Sequence, residues 1–418
     1  MKKYISRIID DALNSALGYA GAVVIRGPKA CGKTQTALQC SKSVLNVDTD
    51  PNVRNLMAID PKALLDGDTP RLLDEWQIQP KLWDYVRHEV DDRASKGQFI
   101  LTGSSTPDES SLTHSGAGRF VVLFMRTLSW QELGYSDGYL RLSDLLSTNN
   151  RINTKEYKLS VRKIIERLVI GGWPELVGVD EVGARKINAS YIRLLAEVDM
   201  SRVSDVRRDP VKVSHLLQSI ARNVSTITKV TTFIKDIQSV ENEDLSRPTV
   251  MDYLDTLDRL MVIEDQPAWN MHIRSSATLR KTPKRHFTDP SLAVAALNLD
   301  SSSLFNDLNY TGFLFESQVI HDLRIYAQKL DAKVYYYRDS SGLEVDAIVQ
   351  KSNGEIAAFE VKLGEGFVEE AAKNLLSFSN NIDSSKVKIA SLNIIIGSGY
   401  AYTRKDGVNV VPIGALGV

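Results

Sequence analysis

Cysteine is almost absent, with Cys31 and Cys40 the two examples in 418 residues. Two thiols so close in sequence build neither a disulfide framework nor a four-ligand zinc site, and their reduced state fits a cytoplasmic setting. Net charge is equally scarce. Lys and Arg number 51 against 52 Asp and Glu, leaving a formal charge of -1. No global field therefore draws the chain onto nucleic acid or an anionic membrane, and any nucleic-acid contact has to come from a local patch. Long apolar runs are missing too: none reaches the roughly 18 residues of a membrane span. Asp10 and Asp11 interrupt the N-terminal apolar residues before a secretory signal could form. Ile5, Ile8, Ile9, Ala12 and Ala16 recur instead at helical spacing and predict an amphipathic helix. No fixed-period repeat and no low-complexity tract occurs. What is there is ordinary: 43% hydrophobic and 25% charged residues, the makeup of a soluble globular chain of roughly two to three domains.

Up to about residue 135, short apolar runs alternate with helical patterns, which predicts a parallel sheet. The runs are Ala22-Val23-Val24-Ile25, Val44-Leu45-Asn46-Val47, Phe99-Ile100-Leu101-Thr102 and Phe120-Val121-Val122-Leu123-Phe124. The polar stretch 136–158 reads as a connection. Val161, Ile164, Ile165, Leu168 and Val169 then mark a helix that Gly171-Gly172 stops. As far as Pro267 the pattern is almost wholly helical. Val250, Leu254, Leu257, Leu260 and Met261 share a face, Ser246 and Pro248 give start signals, and Val262-Ile263 turns extended. Helices followed by a short strand suggest a lid or a winged helix-turn-helix. Beyond Asp289-Pro290 a helical stretch, 313–330, precedes strands at 334–337, 345–349 and 357–361, so the third region is α/β. The expected fold class is α/β, with a P-loop parallel sheet at 1–140, a helical, winged-helix-like region at 159–288 and an α/β domain at 289–418.

The first apolar run leads straight into Gly27-Pro28-Lys29-Ala30-Cys31-Gly32-Lys33-Thr34, which meets G-x-x-x-x-G-K-[ST] at every fixed position and is followed by helix-like Thr36, Ala37 and Leu38. Glycines let the backbone curl so that successive N–H groups point at phosphate oxygens. Lys33 would pair with the β- and γ-phosphates of ATP, and Thr34 would give its hydroxyl to Mg²⁺. Cys31 reads as a small residue tolerated in the loop. Hydrolysis needs an acidic partner at the end of another strand, and Leu72-Leu73-Asp74-Glu75 offers one. Asp74 would orient the Mg²⁺ shell and Glu75 polarise the attacking water. The residues before them, Thr69-Pro70-Arg71, make a poor strand. Thr102 and Ser104, at the end of an apolar strand, are either γ-phosphate sensors or a strand-end turn. Arg119, in Ser115-Gly116-Ala117-Gly118-Arg119-Phe120, is either a surface charge or an arginine offered to a neighbouring subunit's γ-phosphate.

These motifs, with Trp76-Gln77 and Gly171-Gly172-Trp173-Pro174-Glu175, stand in an order that resembles a prokaryotic AAA+ ATPase family with a C-terminal domain similar to PD-(D/E)XK nucleases. The resemblance spans most of the chain, least at 136–158 and over the last forty or so residues. It implies an AAA+ fold, a winged-helix-like region, ring assembly as a homo-oligomer (a hexamer), Arg119 as the finger and Thr102 to Ser104 as the sensor.

The third region carries its own acidic set. Gly342-Leu343-Glu344-Val345-Asp346-Ala347-Ile348 is followed by Phe359-Glu360-Val361-Lys362. On strands, Asp346 falls near Glu360, which shares a face with Lys362 at period two. Two carboxylates can hold a second divalent ion, Glu316 can add a third, and Lys362 can orient a water or stabilise charge on phosphate. The set resembles the E…D…ExK core of PD-(D/E)XK nucleases, whose domains can also bind DNA without cutting. Arg274, Arg280, Lys281, Lys284, Arg285 and His286 form either a phosphate-neutralising loop or a solvated linker, and Arg207-Arg208 and Arg247 add little to the choice. The expected protein is an ATP- and Mg²⁺-dependent ATPase coupled to a metal-dependent DNA-binding or nuclease domain. Its rival is an ATP-dependent regulatory switch whose last domain binds DNA or a partner protein without cleavage.

Overall fold

The computed structural model describes residues 3–105, 116–147, 151–203, 206, 208–241, 246–270 and 282–418. Its elements, in chain order, are α1 (Ile9–Tyr19), β1 (Ala22–Arg26), α2 (Lys33–Leu38), β2 (Ser43–Asn46), α3 (Asn52–Ile59), β3 (Arg71–Asp74), α4 (Leu82–Arg93), β4 (Phe99–Gly103) and β5 (Phe120–Phe124). There follow β6 (Leu140–Arg141), α5 (Leu142–Leu145), β7 (Lys155–Tyr157), α6 (Val161–Ile170), α7 (Glu181–Leu194), α8 (Met200–Arg202), α9 (Pro210–Arg222), α10 (Val230–Glu241) and α11 (Arg247–Arg259). The rest are β8 (Ile263–Gln266), β9 (Lys284–Phe287), α12 (Pro290–Ala296), α13 (Ser301–Asn306), α14 (Leu308–Lys329), β10 (Ala332–Arg338), β11 (Glu344–Lys351), β12 (Ile356–Lys362), α15 (Val368–Asn381), β13 (Ile389–Ile396), β14 (Gly399–Thr403), β15 (Asn409–Pro412) and β16 (Leu416–Gly417). They divide into a unit of Met1–Thr127, Val198–Arg208 and Leu254–Val262, and a unit of Leu128–Glu197, Asp209–Tyr253 and Ile263–Val418. No helix among the described residues is long and apolar enough to cross a membrane.

The first unit is built on a five-stranded sheet in the order β2-β3-β4-β1-β5, parallel throughout. Strand side chains alternate between faces, and each face has its own core. Val23, Ile25, Leu72 and Ile100 meet Ile9, Leu13 and Ala16 of α1. Ala22, Val24, Leu73, Phe99 and Leu101 meet Trp76 and Leu82, Trp83, Val86 and Val90 of α4. Strands buried on both faces read as unbroken apolar runs, and β1 and β4 do. The segment read as a poor strand is regular: Leu72 and Leu73 are fully buried, and β3 pairs with both β2 and β4. Two apolar positions suffice because ladders on both sides satisfy its backbone. The N-terminal helix starts at Ile9 rather than Ile5, because the Asp10 carboxylate accepts the Arg7 backbone N–H at 2.8 Å and the Tyr4 hydroxyl at 2.6 Å and holds the preceding chain out of the helix.

The second unit carries a seven-stranded mixed sheet, β10-β11-β12-β13-β15-β14-β7. Strands β10, β11 and β12 are antiparallel neighbours, while β12, β13 and β15 run parallel. Leu375 and Phe378 of α15 close one core with Ile348, Ala358 and Ile394. Helix α14 is buried without a break from Leu314 to Ala327, including Glu316, His321, Asp322 and Arg324. The stretch 136–158, read as a connection, belongs to this unit: β7 pairs with β14 at the sheet edge and β6 pairs with β16. Helix α6 ends at Gly171 (φ 82), and the Gly172 N–H donates to Asp289 at 2.8 Å, so Gly171-Gly172 seats the start of α12.

Candidate functional site

All strands of the first sheet point the same way, so the residues that leave β1, β3 and β4 arrive at one edge. At Gly27 a β-carbon would lie 2.1 Å from the Met125 carbonyl oxygen, a spacing no side chain tolerates. Ala30 (φ 66) and Gly32 (φ 105) take the left-handed backbone that curls the loop into α2. Lys33, only 5% exposed, donates to the Gly27 and Pro28 carbonyls, both at 2.9 Å. Cys31 is wholly buried with its thiol 3.5 Å from the Met125 carbonyl, so it packs the loop from beneath. Lys29 stands out from the loop, 3.4 Å from Asp199.

The Thr34 hydroxyl donates to both Asp74 oxygens, at 2.9 and 3.1 Å. Thr102, aligned with Asp74 across β3 and β4, donates to the same carboxylate. Next in the chain, Glu75 adopts φ 54, and its carboxylate accepts Ser104 at 3.1 Å and also Gln77. The structure thus brings Lys33, Thr34, Asp74, Glu75, Thr102 and Ser104 together, with Thr102 orienting Asp74 and Ser104 holding Glu75. Sequence reading missed Arg7. Only 6% exposed, it donates to the carbonyls of Cys31, Arg126 and Thr127 at 3.0, 2.7 and 3.2 Å and braces the loop from behind. A lone arginine near the N-terminus carries no local signal of such a role.

Arg119 is not part of this cluster. Its carbonyl accepts the Ala22 N–H, so it lies where β1 begins, whereas the phosphate loop leaves where β1 ends. The length of β1 between them is about 16 Å. Its guanidinium is exposed and pairs with Asp91 at 3.0 and 3.2 Å. Hard oxygen donors side by side, the Thr34 hydroxyl and the Asp74 carboxylate, fit a magnesium ion.

The second expected site also assembles, with an addition. Glu316 from α14, Asp346 and Glu344 from β11, and Glu360 and Lys362 from β12 line one centre, and all but Glu316 border a cavity of about 470 Å³. Lys362 lies 2.9 Å from Glu360 and 3.8 Å from Asp346. The Val361 N–H donates to Asp346 at 2.8 Å, and Asn374 donates to Glu360 at 2.6 Å. The addition is Lys284. It is 2% exposed, and its ammonium sits 2.9 Å from Glu316, 2.7 Å from Glu344 and 3.5 Å from Asp346. Lys284 and His286, read as part of a basic surface loop, are buried and cannot meet a phosphate backbone. Arg285 pairs with Asp265 at 3.1 Å. Arg207, Arg274, Arg280 and Lys281 lie outside the described residues, and Arg208 is buried on the Met200 carbonyl.

Burial, reinforced by the Asp346 charge, pushes both Glu316 and Glu360 up to about 8. Burial opposes the charge of Lys284, yet Glu316, Asp346 and Glu344 raise it above the ordinary lysine range. Two ammonium groups, those of Lys284 and Lys362, therefore stand among these carboxyl groups. Among the described residues, no three His, Cys, Asp or Glu side chains are arranged to hold a metal. The donor set expected for a second divalent ion, Glu316, Asp346 and Glu360, does not fit one, because ammonium groups already pair with it.

A pH dependence follows. Folded Glu316 and Glu360 keep protons up to about pH 8 that the unfolded chain releases from its ordinary carboxyl range upward, so stability falls as pH rises through that window. Buried His286 acts oppositely, lower down. Burial, first, then Arg324 and Lys284 hold its pKa well below 6.5, so only the unfolded chain gains a proton there. Between pH 6.5 and 8 the carboxyl effect outlasts the histidine effect, and the unfolding free energy is expected to fall by up to about 1.4 kcal/mol per pH unit for each carboxyl, lowering the melting temperature with it. Calorimetry across this range checks it, and Glu316→Gln should flatten the slope.

Comparison with known proteins bears on the first unit. Residues 20–134 match the AAA domain family. With the five-stranded parallel sheet and the phosphate loop, this match supports an AAA-type, ATP-binding domain over that stretch. Residues 161–303 and 311–416 match two domains of unknown function, DUF8612 and DUF4143. Two uncharacterized proteins, Mb2031c of Mycobacterium bovis and Rv2008c of Mycobacterium tuberculosis, are each 23% identical over 408 residues, covering 96% of this chain and 82% of theirs. Among solved structures, the Walker-type ATPase PABY2304 of Pyrococcus abyssi aligns over 69% of this chain and 94% of its own, with 14% identity and a TM-score of 0.42.

Proposed function

We propose that the chain hydrolyses ATP and uses the cycle to control a nuclease-like domain that binds DNA without cutting it. The observation that carries the ATPase reading is the cluster of Thr34, Thr102 and Asp74 in one hydrogen-bonded group beside Lys33 and Glu75. Lys33 leaves the loop carbonyls for the β- and γ-phosphates. Thr34 and Asp74 would hold magnesium, which would supply positive charge to offset that of the phosphates. Glu75 takes the proton of the attacking water, and Thr102 and Ser104 register whether the γ-phosphate is present. Arg119, remote from its own loop, serves the next protomer of a ring, a hexamer.

Residues 1–140 act as the ATPase, 159–288 as the lid-like helical region and 289–418 as the PD-(D/E)XK-like domain. What supports that last assignment is the convergence of Glu316, Asp346, Glu360 and Lys362. The reading of binding without cleavage is favoured over a nuclease by the ammonium of Lys284 among these carboxylates. Phosphate release by the purified chain should depend on Mg²⁺ and vanish in Lys33→Ala. Linear, circular and single-stranded DNA should stay intact with Mg²⁺ or Mn²⁺, with or without ATP, while DNA binding weakens as salt rises. Cleavage that disappears in Lys362→Ala would restore the nuclease reading, and absent phosphate release would sink the ATPase.

A further inference from the structure

We infer that Lys284 is the resident cation of the nuclease-like centre: its ammonium does the charge-neutralising work of a divalent metal, and replacing it opens a latent metal site. The inference rests on the nuclease-like reading of the residues around β11 and β12.

An ammonium has three donors, and this one has three carboxylates, Glu344, Glu316 and Asp346, at 2.7, 2.9 and 3.5 Å. Lys362 covers the remaining carboxylate, Glu360, at 2.9 Å. Divalent cations of the magnesium or calcium type need oxygens at about 2.0–2.6 Å, closer than these groups stand around Lys284. A metal placed among them would also face two positive charges.

Lys284 is not a surface side chain that swings in. It opens β9, which pairs with β8 in the register Gln266↔Lys284. Gln266 donates to the Asp346 carbonyl at 2.9 Å. On the same face of β9, at period two, His286 is 3.0 Å from Gln266 and 3.1 Å from Ser317, the neighbour of Glu316. The β8–β9 pair is thus tied to α14 and β11, and it delivers the lysine between the elements that carry the acids.

The test is Mn²⁺ binding by the full chain without nucleotide, followed by calorimetry and by the electron paramagnetic resonance of free Mn²⁺. Wild type, Asp346→Asn, Lys284→Met and the Lys284→Met/Asp346→Asn double variant are compared. Wild type should take up no Mn²⁺ that Asp346→Asn removes. Lys284→Met, which keeps the length of the side chain and drops the charge, should bind Mn²⁺ about ten-fold or more tightly than wild type, and the double variant should lose it. Wild-type binding that Asp346→Asn abolishes would overturn the role of the lysine and leave the nuclease-like reading standing. A folded Lys284→Met chain that binds no Mn²⁺ would overturn both. If Lys284→Met does not fold, wild type against Asp346→Asn decides alone.

Discussion

Arg119→Ala is expected to slow ATP hydrolysis by about 10³-fold or more while leaving nucleotide binding and the melting temperature nearly unchanged. The geometry separates these effects. Arg119 sits at the entry end of β1 and its own phosphate loop at the exit end, so its removal takes nothing from the site in cis. Its partner on the surface is Asp91, and both side chains are more than 40% exposed. Exposed pairs of this kind contribute little to folding. A large loss of rate can then arise only across a protomer boundary. The sharper check mixes Arg119→Ala with Lys33→Ala chains, each inactive alone. Mixed assemblies place an intact arginine against an intact loop and should regain part of the wild-type rate. A wild-type rate in Arg119→Ala alone, or no recovery on mixing, would remove the arginine from the mechanism.

Glu75→Gln is the second large effect, a fall in hydrolysis of about 10²–10⁴-fold with ATP binding retained. Binding is assigned to Lys33, Thr34 and Asp74, none of which depends on the Glu75 carboxylate for its contacts. Glutamine has the same shape, so Ser104 and Gln77 still pack against it, and only the capacity to take a proton is lost. Fluorescent ATP binding beside phosphate release separates the two. A variant that no longer binds ATP would place Glu75 among the binding groups instead, and one that hydrolyses normally would mean another base.

Several elements were legible in advance because their signals are local. The apolar runs that became β1 and β4 announce buried parallel strands, and Gly27 through Thr34 announces its turn within one octet. The alternation of Glu360 and Lys362 placed both on one face of β12. Other features had no such signal. β3 has two apolar residues and stands because β2 and β4 flank it. The stretch 136–158 looked like a connection because the partners of β6 and β7 are β16 and β14, far along the chain. The helical stretch expected at 313–330 is α14, but its burial nearly all round, with its polar residues taken up by partners from elsewhere, had no local signal.

By itself, then, the sequence determined the phosphate loop, the Asp74-Glu75 pair and the carboxylate strand. Each of these depends on backbone geometry over a few consecutive residues, and spacing along the chain records that directly. Only the tertiary structure decided that Arg7 braces the loop, that Arg119 lies a strand's length from its own loop, and that Lys284 leaves a supposed basic surface to sit among three acids. Those outcomes turn on which distant segments pack together. A charge finds its partner through space, and the one-dimensional pattern holds no period from which that distance can be read.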